Sequence, residues 1–173
     1  AGKSALLSEF LDRSEDTGRW QVLRGQSLQS RAGTEPYFCL LDALARMAKL
    51  DGDRVGDVLC RVAPSWMTQI PSLIDKERAE TLQQRGLGAT EQRMVREGVE
   101  AIETLAATRP LVLALEDLHW ADAPSLDVLD LLLQRSEPVQ LLVVATARTE
   151  PAKVHDLIAR MAAAGRAIRD AQY

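Results

Sequence analysis

Two short groups of residues in this chain are of types and spacings that do chemistry together. Gly2, Lys3 and Ser4 stand directly ahead of the apolar-periodic stretch "ALLSEFLDR", and Glu116 and Asp117 close the apolar run "LVLAL". A Gly-Lys-Ser triplet at a helix start is suited to an anion. Glycine lets backbone N–H groups turn inward, and the positive end of the helix faces the same point. The lysine neutralises charge, and the serine hydroxyl is a hard oxygen ligand for Mg²⁺. An acid pair at the end of a buried strand supplies the other half, one carboxylate for the Mg²⁺ shell and one to polarise a water. A second apolar run, "VQLLVVATAR", ends in Thr146 and Arg148, where a guanidinium can reach a terminal phosphate and report its presence. Taken singly, each feature has a plainer explanation: a chance triplet, a solvated acidic strand end, a surface arginine ahead of Pro151. Together they favour phosphate chemistry. His119 and Trp120 fit packing and loop-fixing better than catalysis, and His155 carries no role.

The elements needed to position these groups are present in the expected order. "SALLSEFLDR" sets Leu6, Leu7, Phe10 and Leu11 against Ser8, Glu9, Asp12 and Arg13, the pattern of a half-buried helix. "WQVLRG" predicts a short strand closed by Gly25, and a helix runs through "YFCLLDALARMAKL" after Pro36. From Asp51 to about Gly88, helical pieces are punctuated by "DGD", Pro64, Pro71 and "GLG", which predicts an all-helical insertion over about 51–89. A longer helix starts near Thr90, carries Val95, Val99, Ile102 and Ala106 along one face, and stops at Pro110. "LVLAL" suits a strand buried on both faces of a parallel sheet. The helix after it takes Asp122 as N-cap, Pro124 in its first turn, and Leu126, Leu129 and Leu133 inward. "VQLLVVATAR" predicts a second buried strand. Strands alternating with helices in this way indicate an open parallel α/β sheet, whose ligands bind at the carboxyl ends of its strands. Glu116, Asp117, Thr146 and Arg148 all fall at that edge.

Composition narrows the partners. With 46% hydrophobic and 27% charged residues, 173 positions suffice for one domain with a core, and disorder is not indicated. A formal net charge of -4 supplies no global field to draw nucleic acid or anionic lipid. Cys39 and Cys60 lie inside apolar helical patterns with no paired spacing, as buried free thiols of a reducing compartment do. No apolar run reaches the length of a membrane span, and the first residues lack the regions of a signal peptide. The expectation is a cytoplasmic protein without membrane or direct nucleic-acid contact.

The run "LVLALEDLHWADAPSLDVLDLL" resembles the Walker-B segment of bacterial ATPases of the STAND class, in their AAA-type "predicted ATPase" branch, known for hhhh[DE]D-L-H-W-x-D. "GKSALLSEF", "LRGQ", "EPYFCLLDAL" and "LLVVATAR" follow that family's order, so the resemblance reaches about Pro151. It implies a P-loop NTPase core over 1–150 and leaves 151–173 as a helical tail. By the resemblance Lys3 and Ser4 are the Walker-A lysine and Mg²⁺ ligand, with Gly2 beside them at the nucleotide. Glu116 and Asp117 form the Walker-B pair, Glu116 standing where aspartate is more usual, and Arg148 is the first sensor. ATP with Mg²⁺ is the implied ligand, and ATP or ADP its exchanged states. Such modules sit between an effector, either a class III nucleotide cyclase or a DNA-binding helix-turn-helix, and a helical-repeat sensor. Those domains of a parent chain, and a homo-oligomer, are the partners implied. The implied function is a slow ATP-driven switch. Alternatives are a nucleotide-binding scaffold without turnover and an origin-recognition-like ATPase that engages DNA. Gly2, Lys3 and Ser4 fill only the last three places of G-x-x-x-x-G-K-[ST]. The first glycine, most of the spacer and the first strand are therefore expected ahead of Ala1, and the chain alone is expected to be inactive.

Overall fold

Leu111–Glu116, buried at every position, forms the strand β2 around which the fold is organised. β1 (Gln21–Gln26) lies parallel on one side of it and β3 (Leu141–Ala145) parallel on the other. The structure is a computed structural model and describes residues 2–29, 35–84, 90–135, 139–148, 156–157 and 159–160, with the side chains of Lys3 and Gln84 outside that set. Gln21 pairs with Leu111 and Gln26 with Glu116, while Leu115 pairs with Ala145, so the three strands end on one edge. Parallel neighbours require long crossovers, and helices supply them. The protein has an α/β fold, a parallel sheet flanked by helices.

One face of the sheet carries α1 (Gly2–Asp16). Its Leu7 and Leu11 pack on Val112 and Ala114, with Trp20, Val22, Leu142 and Val144 at the margin. The expected stripe is narrower than its four residues. Leu6 stays 65% exposed and Phe10 38%, because only the Leu7–Leu11 row, one turn apart, meets the small side chains of β2.

The other face carries α2 (Phe38–Leu50), α6 (Glu91–Thr108) and α7 (Ala123–Gln134), which bury Leu23, Leu111, Leu113 and Leu115 in a larger core. Between α2 and α6 run α3 (Gly52–Val62), α4 (Pro64–Met67), a 3₁₀ turn (Pro71–Leu73) and α5 (Lys76–Gln84), all helical as the punctuation predicts. Residues 85–89, with the "GLG", lie outside the described set. Trp66 anchors this part: its indole Nε1–H donates to the Met94 carbonyl at 2.7 Å, and its ring lies where a side chain on Gly98 would stand. The buried Glu97 carboxylate accepts from the Ser65 amide at 2.8 Å and from Arg93 Nε at 2.6 Å, so its charge is both paired and hydrogen-bonded.

The expected helix ends are where the caps put them. Thr90 accepts from the Arg93 amide, and α6 stops ahead of Pro110. The orphan carbonyls of Leu105 and Arg109 near that end are taken by the Gln21 side-chain amide, each at 2.6 Å. Asp122 caps α7 by accepting from the Ser125 amide at 2.8 Å, and Ser125, Val128, Leu129 and Leu132 make its buried row, with Leu126 and Leu133 only half-buried. Two strand expectations change. β1 does not close at Gly25 but continues through it to Gln26: α2 crosses so near that a Cβ at Gly25 would stand 2.0 Å from the Cys39 carbonyl oxygen. β3 is half-buried along its whole length, because among the described strands it is an edge, paired with β2 alone.

Candidate functional site

Alternation along β2 sends Leu111, Leu113 and Leu115 into the large core and Val112, Ala114 and Glu116 toward α1. Glu116 therefore ends the central strand on the face covered by the helix whose first residues are Gly2, Lys3 and Ser4. It is 8% exposed, and Arg24 of β1 meets it, with Nε at 2.9 Å and Nη2 at 2.7 Å from the same oxygen, Oε1. Arg24 Nη1 also donates to Ser8 Oγ at 3.3 Å, one turn beyond Ser4 on α1. Among the described side chains, Ser8 and Arg24 thus link α1 to Glu116, while Gly2 and Ser4 stand exposed at the helix start. The Lys3 backbone belongs to that first turn, and its side chain lies outside the described set.

Asp117 leaves the strand in the left-handed region, with φ 54° and ψ 40°, a conformation that aspartate tolerates better than most residues. The turn is over-determined by bonds to its neighbours. The Asp117 amide donates to Thr146 Oγ1 at 3.1 Å, the Leu118 amide to the Thr146 carbonyl at 2.8 Å, and Gln26 Nε2 to Asp117 Oδ2 at 3.3 Å. The reversal turns the chain into a 3₁₀ turn (Leu118–Trp120) directly after the strand end at Glu116.

Arg148 is exposed in the segment after β3, and its backbone amide donates to His119 Nδ1 at 3.4 Å. That bond needs an imidazole with its proton on Nε2, a buried nitrogen that has no partner among the described residues. Burial pushes the His119 pKa below its ordinary value; the Asp117 charge opposes this and the Arg148 charge reinforces it. The ring packs against Trp120 at 4.9 Å between centroids, which agrees with loop-fixing. Glu116, Asp117, Thr146 and Arg148 are thus gathered at one edge, with α1 alongside. Arg24 and Gln26 were not foreseen as part of it. The local signal for Arg24 is a cation between Leu23 and Gly25 in a strand otherwise turned to the core.

A model of the AAA ATPase domain matches residues 1–144. The chain belongs to that family. Neither the curated proteins nor the solved structures yield a match. AAA ATPase domains bind nucleotide, usually with Mg²⁺, and the donors of this AAA domain suit that ion. Ser4, Glu116 and Asp117 offer hydroxyl and carboxylate oxygens and no soft ligand. Among the described residues no group of three or more His, Cys, Asp or Glu converges as a metal cage. Mg²⁺ takes one or two carboxylates and completes its shell with phosphate and water, so it needs no such cage. No helix among the described residues is long and apolar enough to cross a membrane.

Proposed function

We propose that this AAA ATPase domain is an ATP-binding, slowly ATP-hydrolysing switch within a larger cytoplasmic regulator of signalling or transcription, driving effector and sensor domains of its parent chain. One observation carries the reading. Glu116 ends a fully buried central strand, with Asp117 next to it, beside the helix that opens with Gly2, Lys3 and Ser4, while Thr146 and Arg148 follow the end of the neighbouring strand at the same edge. Bound Mg²⁺ supplies neutralisation of phosphate charge. Gly2 leaves room for phosphate at the helix start, Lys3 stabilises the charge developing on the γ-phosphate, and Ser4 and Glu116 hold the metal. Asp117, its backbone fixed by Thr146, orients the attacking water. Arg148 contacts the γ-phosphate from the loop that His119 secures.

The test is Mg-ATP binding and phosphate release by the full-length protein. Lys3→Ala is expected to abolish binding. Asp117→Asn is expected to keep affinity within about threefold and lose hydrolysis by about a hundredfold. Tight binding with no release above the Asp117→Asn level would make the domain a nucleotide-held scaffold, and no binding by the parent protein would refute both.

A further inference from the structure

The acid that ends β2 already has a cation. Arg24 sits opposite Ala114, and Glu116 opposite Gln26, so the guanidinium reaches diagonally forward along one face of the sheet. Both of its bonds to the carboxylate, 2.9 Å from Nε and 2.7 Å from Nη2, end on Oε1, and neither engages Oε2. The Glu116 side chain is 10% exposed and that of Arg24 35%, so the pair is largely withdrawn from the water that would screen it. Ser8 anchors the third nitrogen from α1, which fixes the guanidinium from two elements at once.

Such a pair has two consequences. A buried carboxylate without a counter-ion is strongly destabilising, so Arg24 holds Glu116 in place when no metal is there. A divalent cation arriving at Oε2 meets a fixed positive charge on the other oxygen of the same carboxylate, and the repulsion is felt at this range because screening is weak. We propose that Arg24 is the resident counter-ion of the metal-holding acid: it stands in for Mg²⁺ on Glu116 and raises the Mg²⁺ concentration at which that acid takes up the metal. The proposal rests on the reading of Glu116 as a Mg²⁺ ligand. In it Arg24 is a positioning residue that sets the metal requirement, with no contact to the reacting phosphate. A switch domain gains from this arrangement, since metal uptake then competes with an internal contact tying α1, β1 and β2 together.

The experiment follows thermal unfolding of the full-length protein without nucleotide, in chelator and across Mg²⁺ up to about 10 mM, so that metal binding is read as a rise in midpoint. The proteins are the parent, Arg24→Lys, Arg24→Gln and the double variant Arg24→Gln with Glu116→Gln. In chelator, Arg24→Gln is expected to unfold at a lower temperature than the parent. Mg²⁺ is expected to restore it, with its half-effect at a concentration about tenfold or more below the parent's. Arg24→Lys keeps the charge and is expected to track the parent, and the double variant is expected not to respond. An ordinary structural salt bridge would predict lower stability in both Arg24 variants with no change in Mg²⁺ response, and that result overturns the proposal. An Arg24→Gln protein unfolded at every Mg²⁺ concentration also overturns it, because the metal is then no substitute for the guanidinium. If neither the parent nor Arg24→Gln responds to Mg²⁺, the reading of Glu116 as a ligand fails as well. An equal response in both removes the counter-ion role alone.

Discussion

His119 and Arg148 show how single residues at the sheet edge are set for opposite tasks. Arg148 is exposed and fixed by its backbone, so its side chain is available to a ligand, whereas His119 spends Nδ1 on holding that backbone. A sensor of the γ-phosphate discriminates between ATP and ADP because only ATP presents the group it touches. Arg148→Ala is therefore expected to weaken ATP binding by about tenfold and ADP binding by far less, as measured by calorimetry; an unchanged ATP-to-ADP ratio would leave Arg148 an ordinary surface arginine. His119 carries a pH dependence of definite sign. Burial lowers its pKa below 6.5, against the Asp117 charge and with the Arg148 charge, so below 6.5 the unfolded chain takes up a proton that the folded chain resists. Stability is present above that value and is lost as pH falls through the folded pKa. Protonated Nδ1 also ceases to accept the Arg148 amide. Unfolding midpoints of the parent are expected to decline as pH falls below 6.5, and those of His119→Asn, which keeps an acceptor without the titration, to decline less. Parallel curves would count against this role.

At the scale of elements, one carboxylate ties two helix starts together. Asp122 Oδ1 accepts from the Ser125 amide at 2.8 Å and from the Tyr37 amide at 2.9 Å, while Oδ2 accepts from Ser125 Oγ at 2.8 Å. Tyr37 is itself in the left-handed region, with φ 63°, at the start of α2. Asp122→Ala removes a cap worth about 1 kcal/mol and strands the Tyr37 donor at about 1–3 kcal/mol more, so a loss of roughly 2–4 kcal/mol is expected in denaturant unfolding. Asp122→Asn keeps Oδ1 and is expected to lose less than half of that; equal losses would show that charge rather than capping matters. Asp122 as a cap was legible because capping is local: a short polar residue, then proline, then an apolar row. The same holds for Thr90 and for the buried run of β2. The bond from Asp122 to Tyr37, 85 residues away, was not legible, nor was that from Arg24 to Glu116, 92 apart, because both depend on which strands and helices become neighbours and in what register. Leu6 and Phe10 misled for a related reason. Periodicity gives the side of a helix that is apolar, while the width of the buried row is set by the surface it lands on, here the small residues of β2.

Across the whole molecule, the two faces of the sheet are unequally anchored. The large core joins α2, α3, α4, α6 and α7 to Leu23, Leu111, Leu113 and Leu115, whereas among the described residues α1 is held by Leu7 and Leu11 on Val112 and Ala114 and by the Ser8–Arg24 contact. Local opening free energies follow buried apolar contact, so α1 belongs at the low end of the distribution. It is also the helix that opens with Gly2, Lys3 and Ser4. A ligand bound at that end stabilises the state in which α1 is seated, and does so most where seating is weakest. In native-state hydrogen exchange, the α1 amides are expected to exchange through an opening well below the global one, and the buried amides of α6 only through global unfolding. Saturating Mg-ATP is expected to slow α1 by about tenfold or more while leaving α6 limited by global stability, and Lys3→Ala to remove the slowing. Leu11→Ala, which deletes a buried side chain from the small cluster at about 2–5 kcal/mol, is expected to speed α1 exchange further without an equal effect on α6. If α1 and α6 exchange together in every one of these proteins, the domain opens as one unit, and the seating of α1 is not the step that nucleotide controls.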